Sequence, residues 1–169
     1  MNKKIETAIN NQINAEIYSA YLYLAMAAYF DSVSLPGFAH WMKTQFEEEM
    51  AHAMKFYDYV YSNNGTVQMK AIAAPPVKFK SPLDVFKFTL SHEKTVTKLI
   101  NNLFELAITE KDYASESFLK WFIDEQVEEE NTASEIIDKI NLAGEKGPGM
   151  FFLDKELRSR PSPAQGSNK

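Results

Sequence analysis

Glu49 and His52 stand three residues apart, as do Gln126 and Glu129. On an α-helix that interval puts both side chains on one face. Glu16 precedes Glu49 by 33 residues and Glu93 precedes Gln126 by the same 33. A shift of 77 residues carries Glu16, Glu49 and His52 onto Glu93, Gln126 and Glu129. The chain therefore holds two copies of one arrangement, as expected if each supplies half of a pseudo-symmetric site for two metal ions. Carboxylate oxygens with one imidazole suit Fe(II) or Mn(II), with Zn(II) as a competitor. The second copy is the poorer one. It has Gln126 in place of Glu49 and Glu129 in place of His52, so its cation is expected to rest on Glu93, Glu129 and a bridging Glu49.

These residues interrupt apolar stripes of helical period. One stripe runs Ile5, Ile9, Ile13, Glu16, Ala20, Tyr23, Ala27, Phe30, and a second runs Phe38, Met42, Gln45, Glu49, His52, Phe56, Tyr59. The third is Phe86, Leu90, Glu93, Val96, Ile100, Leu103, Ala107, and the fourth is Leu119, Phe122, Gln126, Glu129, Ala133, Ile136, Ile140. An ionised carboxylate in an apolar interior costs several kcal/mol unless it is paired. No comparable supply of Lys or Arg lies on the stripes, so a metal cation is the simplest counterion.

Gly and Pro divide the chain into the elements that carry the stripes. Helices are expected over about 3–31, 36–64, 82–109 and 112–143, with Asp112 as a helix N-cap and Pro36 and Pro82 in first turns. Short links make hairpins of the first pair and of the second pair. The connection from Gly65 to Ser81 has 17 residues. At about 3.3 Å per residue it spans roughly 55 Å, more than the roughly 40 Å of a 27-residue helix. It can run the length of a bundle and leave the second and third helices parallel. The expected fold is an all-α four-helix bundle with one long crossover. A short fifth helix follows over about 149–158, closing one domain over 1–158, and residues 159–169 are expected to be a disordered tail.

Composition narrows the function classes. The 169 residues carry 18 Lys+Arg against 23 Asp+Glu, a net charge of −5, which argues against a nucleic-acid partner or an anionic membrane surface. No run approaches the roughly 18 apolar residues of a membrane span, and the polar start lacks a signal peptide's apolar region. A cytoplasmic protein is the expectation. With no cysteine, thiolate metal sites and thiol nucleophiles are excluded.

Other acids and rings need separate readings. Glu48, Glu125 and Glu128 are spaced to flank the two-metal site and are candidates for a third, weaker cation position. Glu47 and Glu130 read as solvated helix face, and His40 and His92 as ordinary helix residues. Tyr23 lies two turns after Glu16 on the same stripe and is either a core aromatic or a hydrogen-bond or electron donor to the metals. Met50 could ligate haem, but nothing else in the sequence supports haem.

Three stretches, NAEIYSAYLY (14–23), EEEMAH (47–52) and FLKWFIDEQVEEE (118–130), together with GEKGPGMFFLDKEL (144–157), resemble the prokaryotic non-haem ferritins. The likeness runs from about residue 5 to 158. It implies a ferritin-like fold with a ferroxidase centre. Glu16, Glu49 and His52 match the first iron site of that family, with Glu49 bridging. Glu93 and Glu129 match the second, with Gln126 close by. Glu48, Glu125, Glu128 and Glu129 match a third iron site, and Tyr23 matches the tyrosine beside the centre. Bacterioferritins carry E-x-x-H in both halves, which Gln126 and Glu129 do not provide. The resemblance further implies a homo-oligomeric hollow shell of 24 subunits storing ferric oxide. Its substrates would be Fe(II) with O2 or H2O2. The rival reading is a di-iron oxidase or peroxidase of the same superfamily that acts without mineral storage.

Overall fold

The computed structural model describes residues 1–144 and 146–161. Among these residues five α-helices follow one another: α1 (Lys3–Ser32), α2 (Pro36–Ser62), α3 (Pro82–Thr109), α4 (Tyr113–Ala143) and α5 (Pro148–Leu157). Each start has a local cause. Asn2, Ser81 and Asp112 accept hydrogen bonds from the N–H groups of Lys4, Asp84 and Ser115, and Pro36, Pro82 and Pro148 occupy first turns. The links after α1, α2 and α3 each use one residue in the left-handed region, Ser34, Asn64 and Lys111.

Helices α1 and α2 form one hairpin, and α3 and α4 the other. The segment between Ser62 and Pro82 has no regular structure, and side chains of α1 hold it. Asn10 donates to the Thr66 carbonyl at 3.0 Å and accepts from the Gln68 N–H at 2.6 Å. Asn14 donates to the Ala71 carbonyl at 3.1 Å, and Phe79 packs edge-on against Tyr29 at 5.6 Å. The crossover thus tracks α1 from residue 10 to residue 29, the lengthwise path that makes α2 and α3 parallel.

Apolar side chains pack in two separate clusters. One holds Leu22, Met26, Phe30, Phe38, Trp41, Val85, Phe86, Ile136 and Ile140. The other holds Ile5, Ile9, Ile13, Phe56, Val60, Val96, Ile100, Leu119 and Phe122. Burying each large apolar side chain contributes roughly 1.5–3 kcal/mol. Between the clusters, on all four long helices, lies the polar layer Glu16, Glu49, His52, Glu93, Gln126 and Glu129, every member buried. The bundle is therefore stabilised at both ends around a middle that is not hydrophobic.

Helix α5 seats on the start of α2. The α2 N-cap position, Leu35, offers no side-chain acceptor. Asp154 of α5 supplies one instead, accepting the Gly37 and Phe38 N–H groups at 2.8 and 3.1 Å. The approach is so close that a Cβ on Gly37 would lie 1.7 Å from the Asp154 carbonyl oxygen.

The segment after α5 departs from the expected tail. Arg160 is half-buried, its carbonyl is 2.8 Å from His40 Nε2, and its guanidinium lies over Trp41. The remainder of that tail, 162–169, lies outside the described residues. No helix among the described residues is long and apolar enough to cross a membrane.

Candidate metal centre

Glu16 on α1 and Glu49 and His52 on α2 each present a ligand atom within 4.8 Å of the others. All three are buried. The i, i+3 spacing brings His52 Nδ1 to 3.6 Å from Glu49 Oε2. Glu49 and Glu16 share a hydrogen bond across the hairpin, and Gln12, one turn before Glu16, donates to its Oε1 at 2.7 Å.

The other hairpin sets Glu93 beside Gln126. Gln126 Nε2 is 3.3 Å from Glu93 Oε2, from the Glu93 carbonyl and from Thr97 Oγ1. Tyr23 crosses from α1 and donates its phenolic hydrogen to Glu93 Oε1. Glu129 accepts from Gln45 Nε2 at 2.9 Å. The sequence pattern thus comes together in space as two facing halves, although Glu93 and Glu129 lie outside the tight group formed by Glu16, Glu49 and His52.

Electrostatics mark the layer as short of positive charge. Burial pushes the Glu49 carboxyl well up, and the nearby Glu93, Glu16 and Glu129 push it further. Burial likewise raises Glu93 to about 7 and Glu129 to about 8, with Glu93 adding to the latter. Glu16 is raised by burial, partly offset by its hydrogen bonds to Glu49 and Gln12. Several carboxyls in one dry layer cannot all ionise without a counterion. Burial lowers His52 to about 4, so its imidazole is neutral at ordinary pH, the form that ligates metals. Buried oxygen donors lacking cations, with one neutral imidazole, fit a divalent metal.

The three flanking acids behave differently. Glu48 is half-buried and accepts from Arg160 Nη2 at 2.6 Å. Glu125 Oε1 is 3.9 Å from His52 Nε2, and Glu128 is exposed. Glu130, read as solvated surface, is half-buried and accepts from Thr97 Oγ1 at 2.6 Å. His92 is also half-buried, with Nε2 at 2.8 Å from Ser19 Oγ. Sequence reasoning left Gln12, Thr97 and Arg160 without roles. Gln12 carried a signal, four residues before Glu16 and so one turn away on the same face. Arg160 carried none, because its contact with Glu48 exists only once α5 has docked.

The chain matches the model of the ferritin-like domain over residues 6–143. It belongs to the ferritin family. A bacterial non-heme ferritin of Bacteroides fragilis is 44% identical over 160 residues, covering 95% of this chain and 99% of the relative. That of Staphylococcus haemolyticus is 43% identical over 95% of this chain and 96% of the relative. Among solved structures, an open pore ferritin from the hyperthermophilic archaeon Archaeoglobus fulgidus superposes with a TM-score of 0.94. It is 50% identical over 95% of this chain and 99% of that one. A closed form engineered from the same ferritin gives a TM-score of 0.94 at 49% identity, covering 96% and 99%. The ferritin bundle with its short fifth helix is therefore the fold of this chain.

Proposed function

We propose that this protein stores iron and oxidises it on the way in, acting as a ferroxidase with Fe(II) as substrate. The observation that carries the reading is the buried group of Glu16, Glu49 and His52 facing Glu93 and Glu129 in a layer without enough cations. One Fe(II) is held by Glu16, Glu49 and His52, a second by Glu93, Glu129 and the shared Glu49, with Gln126 adjacent. Two Fe(II) each give up one electron, and O2 takes both electrons and two protons to leave as H2O2; peroxide is the alternative oxidant. Tyr23 holds Glu93 in place through its hydroxyl. Glu48, Glu125 and Glu128 form the third, outer cation position from which Fe(III) moves on to mineral.

Storage requires assembly, and a homo-oligomeric shell of 24 subunits is the form proposed. Support comes from the surface. Leu142, Phe151 and Phe152 are 88%, 68% and 67% exposed around α5, more large apolar side chain than one helix end leaves to water without a partner. On α1 the exposed large apolar residues are Tyr21 and Leu24, whereas Leu22 is fully buried and Tyr18 and Tyr29 are half covered. The cytoplasm, where Fe(II) is available, is the proposed compartment.

Fe(II) oxidation in air tests the centre. Glu49→Ala and His52→Ala should oxidise iron far more slowly than the unaltered protein, and wild-type rates in both would overturn the assignment. Electron microscopy after iron loading separates storage from the rival reading, since a di-iron oxidase would keep its metals and form no mineral.

A further inference from the structure

Arg160 approaches the carboxylate layer from outside the bundle, carried by the strap that follows α5. Its Nη2 donates to Glu48 Oε2 at 2.6 Å and to Gln45 Oε1 at 2.5 Å. Its Cζ sits 4.6 Å from the centre of the Trp41 ring, and its carbonyl lies 2.8 Å from His40 Nε2. All four anchors are on the first half of α2. Nη1, by contrast, is buried with no hydrogen-bond partner among the described residues. A guanidinium offers five N–H donors, and leaving the two on Nη1 dry and unpaired is unfavourable. The strap is thus held by contacts of several kinds yet is incompletely satisfied, which suits a contact that can be exchanged.

The position of this cation matters more than its presence. Glu48 is one of the acids that would hold an outer metal ion, and a guanidinium already occupies its oxygen. A metal bound to the same carboxylate would repel Arg160 at close range, so the two cations exclude one another. Arg160 also acts on Glu129. An amide has one accepting and one donating end, and a donor-only guanidinium on Gln45 Oε1 fixes which end faces inward. Gln45 Nε2 then donates to Glu129 at 2.9 Å. Both parts of the Arg160–Glu48 pair are about a quarter exposed, 22% and 26%, so exchange with a cation from solvent is sterically open.

We propose that Arg160 is a tethered counter-ion that competes with a metal cation for Glu48, so that a third cation binds there only as the 158–161 strap lifts. Release of Gln45 Oε1 in the same step frees the amide that fixes Glu129, linking the outer position to the second iron site. This rests on the iron-centre reading given above.

Zinc, which is redox-inert, is the probe, titrated into the assembled full-length protein and followed by calorimetry. In Arg160→Gln and Arg160→Ala, the weakest class of zinc sites should tighten on the order of tenfold, the scale expected when a partly exposed ion pair stops competing. The tightest class, at Glu16, Glu49 and His52, should not change. Glu48→Gln should remove the weakest class. An Arg160→Gln protein with that class unchanged or absent overturns the proposal. Should Arg160→Ala misfold, Arg160→Gln keeps a polar, uncharged end on a shortened stem beside Trp41. Zinc-soaked crystals of the unaltered protein give a second readout: a guanidinium still bonded to Glu48 with zinc on that carboxylate also overturns it. Failure of the iron-centre reading looks different, because Glu49→Ala would then leave every zinc class intact.

Discussion

Gln126 on α4 lies 3.3 Å from Glu93 Oε2 on α3, in the place where the other hairpin sets Glu49 against Glu16. The 77-residue repeat is therefore a spatial repeat with one neutral exchange. An amide donates well to a carboxylate but is a weaker metal ligand than a second carboxylate. Gln126→Glu should convert the poorer half toward the richer one. We expect zinc to leave the second site about tenfold more slowly, as a metal–carboxylate bond replaces a metal–amide contact. Loss of zinc to a chelator, timed against the unaltered protein, checks this; equal rates would mean Gln126 does not face the second ion.

Tyr23 is fully buried, its hydroxyl is bonded to Glu93 and its ring is edge-on to Trp41. Tyr23→Phe keeps the ring and removes the donor, leaving Glu93 Oε1 buried without it. The metal-free protein should lose about 1–3 kcal/mol, the usual cost of an unsatisfied buried polar group. With zinc bound the loss should shrink, because a cation takes over the carboxylate. Denaturant midpoints with and without zinc measure both numbers. An unchanged metal-free midpoint would show that the phenol does not hold Glu93.

The raised carboxyls give the metal-free bundle a pH dependence of definite sign. Glu93 and Glu129 titrate in the folded protein at about 7 and about 8, above the ordinary 4.5. Their contribution to stability is full below 4.5 and is lost as pH rises through 7 and 8. His52, lowered from 6.5 to about 4, works the other way, contributing above 6.5 and losing its share as pH falls toward 4. Above 6.5 only the carboxyl effect remains, so the metal-free protein should lose thermal stability between pH 6.5 and 8. Zinc should abolish that loss and release protons on binding in the same window. A flat midpoint from pH 6.5 to 8 without metal would contradict the assignment.

The fold was legible because each long helix carries its own period, and because Pro36, Pro82 and Asp112 mark helix starts by chemistry local to them. The polar layer was legible for a related reason: a glutamate on an apolar stripe conflicts with its surroundings wherever it occurs. What stayed hidden depends on tertiary approach. Leu22 lies off the α1 stripe yet is buried, because neighbouring elements cover more of α1 than a single stripe. Arg160 sits in a polar, proline-containing stretch whose composition reads as a solvated tail. Its order comes from Trp41 and Glu48, more than 100 residues away. The charge run around Glu130 marks a solvated face and cannot register Thr97 across the α3–α4 groove.

Asp154 provides the last prediction, since it links the end of the chain to the start of α2. Its carboxylate satisfies two N–H groups that Leu35 cannot cap, and it places negative charge at the positive end of the helix dipole. Asp154→Ala should cost about 0.5–2 kcal/mol, the range for loss of an N-cap. Asp154→Asn should cost less, because the amide oxygen still accepts although the charge is gone. Gly37→Ala should be worse than either, because its Cβ would meet backbone at 1.7 Å and α5 would have to move. Thermal midpoints of the three variants should therefore fall in the order Asn at 154 highest, Ala at 154 next, and Ala at 37 lowest. Because α5 carries the strap, Gly37→Ala should also loosen Arg160 from Trp41 and shift the tryptophan fluorescence in the folded protein. A Gly37→Ala protein as stable as the Asp154→Asn variant would mean that α5 does not seat on the α2 N-terminus.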